Sequence, residues 1–498
     1  MERRVAQGRP PDPPADRQTP PWDPHWLVLT IGLGFVVVAL ALYAIEQPQT
    51  YYNHFVWQAK AFLEGRAGID YPVFPTATSA GNSQFQDVLS VLGPNGEQTG
   101  RGLIPFPPLP AVVLVPFVAI WGLATDEHAI GAVLGAIDVA LAWWMLGRLP
   151  IRLGTRVLTT AFFAFGTVFW YTAQLGTTWY FAHIVAVGLT FVAVGLAIGA
   201  DPDSAIDEDA LPDESDDGPP ADDPRAGGGS LRRIGTFIRV DGRQFLAGLA
   251  LGMAATARLS VLFGAPFLLL VGGGGTWLRR GSSAAIGAAI PVAVLVGYNF
   301  VSTGHLVHPA YDYLYRLESI GYPQLNYHPD WEIEDPRYIP QNLGIALFGV
   351  PALFPDAEPR ALGGQPLCTD PGAMRSLLDV TCPIALPRDT GMSILVSSPA
   401  YLLAIPALRR LYGRSRLVTG ATLAVVVVAF FNLMHFSQGW VQIGYRFSND
   451  FAPFALPIVA LGIESLSGGR WRWAVPVLLV ASFAVSLWSV FLQHALGW

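Results

Sequence analysis

Apolar runs, most of them closed by arginine, proline or glycine, repeat along the chain, and several reach the roughly 18 to 20 positions that a helix needs to cross a bilayer core. The strict polar–apolar alternation of barrel strands is missing, so the pattern predicts an all-α polytopic membrane protein. Eleven spans are expected, near 26–44, 129–147, 157–173, 182–199, 244–258, 260–277, 283–301, 391–408, 417–436, 451–466 and 473–491. A further apolar run at 106–124, FPPLPAVVLVPFVAIWGLA, carries Pro107, Pro108, Pro110 and Pro116 and is expected as a juxtamembrane or re-entrant segment, a twelfth span being the alternative.

Arginines order these spans. Arg3, Arg4, Arg9 and Arg17 precede the first run, and further arginines crowd 148–156, 225–243, 279–280, 409–416 and 470–472; the positive-inside rule makes all of these cytoplasmic. The N-terminus is then inside and the C-terminus outside a cytoplasmic membrane. The outer side receives 45–104, the turn at 177–183, a long seventh-to-eighth-span loop at 302–390, and GYRFSNDF at 444–451. In the first outer loop, YYNHFVWQAKAFLEGR (51–66) places apolar residues at 55, 56, 59, 62 and 63, the spacing of an amphipathic surface helix. The organisation expected is a disordered tail (1–25), an N-terminal membrane module (26–200), a disordered acidic cytoplasmic loop (201–243), central spans (244–301), an outer loop (302–390) and C-terminal spans (391–498).

Composition sharpens the class. Hydrophobic residues make up 52% and charged residues 13%, with mean hydropathy +0.40, against about 25% charged in ordinary soluble domains. The net charge of −7 is local in origin: 201–224 holds eleven acids and no base, and the rest of the chain is net basic. That stretch, rich in proline and followed by GGGS, is expected as a solvated spacer or a partner-binding segment. Cys368 and Cys382 both fall in the long outer loop, where an oxidising compartment would allow a disulfide; two free thiols are the alternative.

Few polar residues on the outer side invite chemistry, and each has a plain reading beside the functional one. Asn53 and His54 open the amphipathic helix, either as cap and interfacial residue or as an anion and proton site. Trp179 and His183 belong to an aromatic belt or to a site that moves a proton, holds a metal or meets a phosphate. Arg258, between two spans, either snorkels or binds a lipid phosphate. Arg446 and Asp450, at i and i+4, form a surface pair or join Trp440, Gln442, Tyr445 and Asn449 in a sugar or phosphate site.

The segments NHFVWQAKAFLEGR, FPPLPA, WYFAH, GLALGMAATAR, SSP and GYRFSNDFAPF together resemble the family 39-like branch of the glycosyltransferase C (GT-C) superfamily, which includes the protein O-mannosyltransferases and the aminoarabinose transferase of lipid A. The resemblance implies a transferase that moves a sugar from a polyprenyl-phosphate donor to a glycan, lipid or protein acceptor at the outer face of the membrane. It also implies a carrier-phosphate role for Arg258, with Arg446 assisting. The acids that such families place at the start of the first outer helix are replaced by Tyr51 and Tyr52, and WYFAH stands where a second acid is expected. His54, then His183, are the substitute bases or ligands of a divalent metal; Glu46, Asp70 and Asp87 are acids that would have to fold back. A transporter or flippase, suggested by Gly- and Pro-broken spans and by Asp138 within one of them, and a non-catalytic lipid- or glycan-binding scaffold are the competing classes. No nucleotide-binding loop sits in a strand–helix setting, and nothing points to nucleic acid.

Overall fold

The computed structural model describes residues 24–45, 52–71, 85, 87–201, 240–309, 328, 330–359, 364–411, 415–439 and 442–496. Tyr51, Glu46, Trp440, residues 1–23 of the N-terminal tail and residues 202–239 of the acidic loop lie outside them.

The chain opens with α1 (His25–Tyr43) and α2 (His54–Leu63), then a three-stranded antiparallel sheet of β1 (Ile69–Asp70), β2 (Leu89–Leu92) and β3 (Gln98–Leu103), with β3 in the middle. There follow α3 (Leu109–Trp121), α4 (Glu127–Leu146), α5 (Leu153–Gly166), α6 (Phe169–Leu175), α7 (Thr178–Ala200), α8 (Gly242–Ala255), a 3-10 turn (Leu259–Gly264), α9 (Pro266–Leu270) and α10 (Trp277–Thr303). The C-terminal part holds α11 (Ile339–Phe348), α12 (Ile394–Ser397), a 3-10 helix (Pro399–Arg410), α13 (Arg416–Met434), α14 (Ser448–Leu466) and α15 (Ala474–Leu496).

The helix ends follow from local chemistry. Asp126 accepts from Ala129 N (2.9 Å) to cap α4, and Asp241 accepts from Gln244 N (2.9 Å) to cap α8. Gly176 and Gly304 end α6 and α10 in the left-handed conformation, at φ 55° and 75°.

Every expected span coincides with helical structure, but the count of eleven crossings is not confirmed. Among the described residues six helices are long and apolar enough to span: α1, α4, α7, α10, α13 and α15; the α5–α6 pair, bent by 53°, would make seven. The remaining expected spans fall short for identifiable reasons. Residues 244–258 form the 14-residue α8, and 260–277 break into a 3-10 turn and the five-residue α9. Pro399 and Pro406 turn 391–408 into a 3-10 helix, while α14 carries Asp450, Pro453, Pro457 and Glu464. The 13-residue α3 is about 20 Å long, less than the roughly 30 Å of a bilayer core.

α7 is the axis of the bundle, with 83% of its most apolar stretch buried, whereas α1 is 17% buried and presents its side chains outward. α8 and α10 pack backbone to backbone: a Cβ at Gly248 would stand 2.0 Å from Ala284 O, and one at Gly287 2.1 Å from Phe245 O. Gly248→Val is therefore expected to lower stability by roughly 1–3 kcal/mol, whereas Gly297→Ala, where nothing lies within 4 Å, should leave the melting temperature unchanged or slightly raised.

The bundle has two chemically distinct ends. At one, Arg152 pairs with Glu464, Arg416 with Asp201 (2.9 Å), and Arg243 donates to Gly199 O (3.1 Å). The opposite end gathers His54, His183, Arg258 and Asp450. The amphipathic helix is more deeply set than a surface helix would be: α2 packs on α3 and buries His54, Phe55, Val56, Gln58, Ala59 and Ala61, leaving Leu63 outside.

Candidate functional site

Asp450, in the first turn of α14, has a fully buried side chain that draws four elements together. Arg258, in extended conformation just after α8, donates Nη2 to Asp450 Oδ2 at 3.0 Å and Nε to Oδ1 at 3.4 Å. Ser260 Oγ (2.7 Å) and Asn432 Nδ2 (3.2 Å) donate to the same Oδ2. His183, from the second turn of α7 and wholly buried, brings Nδ1 to 2.8 Å from Asp450 Oδ1, close enough for an ion pair yet not aligned as a hydrogen bond. Its Nε2 has no hydrogen-bond partner among the described residues.

Arg446 and Asp450 do not pair with each other, although their spacing permits it. Asp450 takes its donors from Arg258 and Ser260, just after α8, and from Asn432 of α13, and Arg446 turns away, its guanidinium 5.5 Å from the centre of the Tyr180 ring and 5.4 Å from that of Phe447. A Cβ at Gly439 would come within 2.7 Å of this guanidinium, so glycine at that position makes its room. Among the described residues Arg446 pairs with no acid, and its Nε has no acceptor. Tyr445, expected in the site, is instead 3% exposed and packs its ring among Ala346, Val428, Phe447 and Phe451.

A second group forms around the first residues of α7. His54 is 1% exposed; its Nδ1 lies 3.0 Å from Thr178 Oγ1, which also accepts from His54 N at 3.3 Å. The rings of Tyr52, Phe106 and Trp179 surround it. Trp179 therefore belongs to the His54 group and not to the arginine site, and its Nε1 donates to Asp87 Oδ2 at 2.9 Å. Asn53 occupies the N-cap position of α2 without capping: its Oδ1 accepts from Trp57 Nε1 (3.1 Å) instead of from a helix amide. Asp87 folds back over this group; Asp70 does not, being paired with Arg66 at 2.8 Å on the sheet.

One acid here escaped the sequence reading. Glu127, 3% exposed, accepts from Thr178 N at 2.6 Å. That bond holds a β-branched residue at φ 38°, a conformation costly enough to need support from its surroundings. Its signal was present as adjacent acids, Asp126 and Glu127, opening a span: the first is the cap, the second is buried. Glu127→Ala is expected to cost about 1–3 kcal/mol by leaving the Thr178 amide unpaired, and Glu127→Gln to recover most of it in thermal unfolding.

The segment around 333–337 is pinned to the end of α13. Asp335 N donates to Met434 O (2.9 Å), Phe436 N to Ile333 O (2.8 Å), and His435 Nδ1 lies 2.8 Å from Glu334 Oε1. Hydrogen bonds from Arg337 hold the Asp335 carboxyl down to about 2. Further along, Cys368 and Cys382 form a disulfide. Among the described residues no three His, Cys, Asp or Glu side chains are grouped to hold a metal ion.

The backbone is similar to crystal structures of the oligosaccharyltransferase of Archaeoglobus fulgidus. The apo form gives a TM-score of 0.45 at 11% identity, covering 95% of this chain and 56% of that one. The form tethered by a disulfide bond to an acceptor peptide containing the NVT sequon gives 0.42 at 12% identity, with the same coverage of 95% and 56%. The chain thus spans little more than half the length of those structures. No protein-family model and no curated protein matches it.

Proposed function

We propose that the chain is a membrane glycosyltransferase that takes a sugar from a polyprenyl-phosphate donor and passes it to a glycan, lipid or protein acceptor at the outer face of the cytoplasmic membrane. The observation that carries this reading is Arg446: a guanidinium set on two aromatic faces, without an acid, at the end of the bundle that also holds His54 and the Arg258–Asp450–His183 network.

The chemistry follows from charge. An acceptor oxygen attacks the anomeric carbon, and the bond from that carbon to the phosphate oxygen breaks, its electron pair leaving on the phosphate. The phosphodiester monoanion becomes a monoester that binds one more negative charge, so a fixed cation at the phosphate is worth more as the bond breaks than before. Arg446 supplies that cation. Arg258, already neutralised by Asp450, orders the site and adds donors. His54 takes the acceptor's proton, its ring oriented by the Thr178 hydroxyl.

The test is a reconstituted assay with radiolabelled polyprenyl-phosphate hexoses and a membrane extract as acceptor. Wild type should transfer label, His54→Ala should bind donor without transferring, and Arg446→Ala should transfer far more slowly than wild type. Asp138, buried in α4 against Gly188 of α7, favours a transporter as second reading. Labelled lipid crossing the bilayer intact, with no transfer, would select it. Carrier binding with neither movement nor transfer would leave a scaffold.

A further inference from the structure

At the arginine-rich end of the bundle, the turn between α14 and α15 reads GGRWRW (468–473). Trp471 and Trp473 are 51% and 54% exposed, large values for indoles in a protein with so many buried aromatics. Their rings lie 5.5 Å apart, and the Arg470 guanidinium sits 5.6 Å from the Trp471 centroid. Arg470 and Arg472 are exposed, and neither pairs with an acid among the described residues. Elsewhere at this end the same pairing recurs, with Arg148 4.9 Å from the Trp144 ring centre and Arg156 3.8 Å from that of Trp143.

Depth fixes what this turn meets. The 23 residues of α15, one of the six span-length helices, cover about 34 Å, enough for the roughly 30 Å of a hydrocarbon core. The turn that leads into α15 therefore emerges at the headgroup level, where indoles settle and guanidinium groups find phosphates. We infer that 468–473 is a docking surface for anionic phospholipid headgroups, the two arginines taking the phosphates and the two indoles lying among the upper acyl carbons. Two uncompensated cations select acidic over zwitterionic lipid, and the indole pair selects a lipid over a free anion. The inference stands whether or not the opposite end transfers sugars.

The full chain, placed in bilayers containing either brominated phosphatidylglycerol or brominated phosphatidylcholine at equal mole fraction, reports contact through quenching of indole fluorescence. Subtracting the signal of Trp471→Phe/Trp473→Phe isolates these two indoles. Phosphatidylglycerol should reach half-quenching at a mole fraction on the order of tenfold lower than phosphatidylcholine, and Arg470→Gln/Arg472→Gln should erase that preference. Unchanged thermal unfolding in neutral lipid would confirm that this variant is folded. Equal quenching by the two lipids, or a preference that survives the arginine changes, would overturn the inference. So would abolition of the preference by millimolar inorganic phosphate, which would mark a free-anion site.

Discussion

Asp450→Ala is expected to destabilise the folded protein by roughly 3–5 kcal/mol. The carboxylate is wholly buried and takes donors from Arg258, Ser260 and Asn432 while facing His183. Removing it leaves the Arg258 charge, only 22% exposed, without its counter-ion, beside an imidazole that has no hydrogen bond. Breaking one partner of such a network costs far more than the pair itself contributes. Unfolding in mixed micelles with increasing denaturing detergent measures the loss. Asp450→Ala/Arg258→Met, which removes both charges, should regain much of it. A single variant as stable as wild type would show that the network does not hold these helices.

Arg446→Ala should behave in the opposite way. Its side chain is half-buried, and no acid depends on it, so stability should change by less than about 0.5–1 kcal/mol. Transfer from the lipid-linked donor, by contrast, should fall on the order of 10²- to 10³-fold, as it does when one preorganised donor to a developing anion is removed. Arg446→Lys should recover only part, because an ammonium cannot reproduce the planar fork and its stacking on Tyr180 and Phe447. Single-turnover rates separate this loss from weakened binding. Wild-type rates in Arg446→Ala would remove the arginine from the reaction.

The sequence declared the long, charge-free helices plainly. α1, α7 and α15 are continuous apolar runs with marked ends, and their limits were expected to within a few residues. It also led to the expectation that Arg258, His183, Arg446 and Asp450 lie on one side of the membrane, and the structure gathers them at one end of the bundle. What it did not yield was partnership. The spacing of Arg446 and Asp450 suggests an i, i+4 pair, but pairing is decided by which distant helix supplies the better donors, and Arg258 is 192 positions away from Asp450. Likewise Asn53 looks like a cap until Trp57, one turn on, takes its oxygen. The crossings expected at 244–277 and 391–408 do not appear there as single long helices. Hydropathy there is high, but glycine and proline divide the runs into pieces too short to traverse a bilayer.

The first turn of α7 carries Thr178 against His54, Trp179 against the same ring, and Tyr180 beneath Arg446. Three consecutive residues thus serve two separate groups. Successive residues on a helix diverge by about 100°, so no small rotation of α7 can adjust one contact without moving the others. On the proposed function, donor at the arginine site and acceptor at the His54 group would then be linked through one rigid lever, and linkage is reciprocal: an acceptor that raises donor affinity must itself bind more tightly, by the same factor, when donor is present.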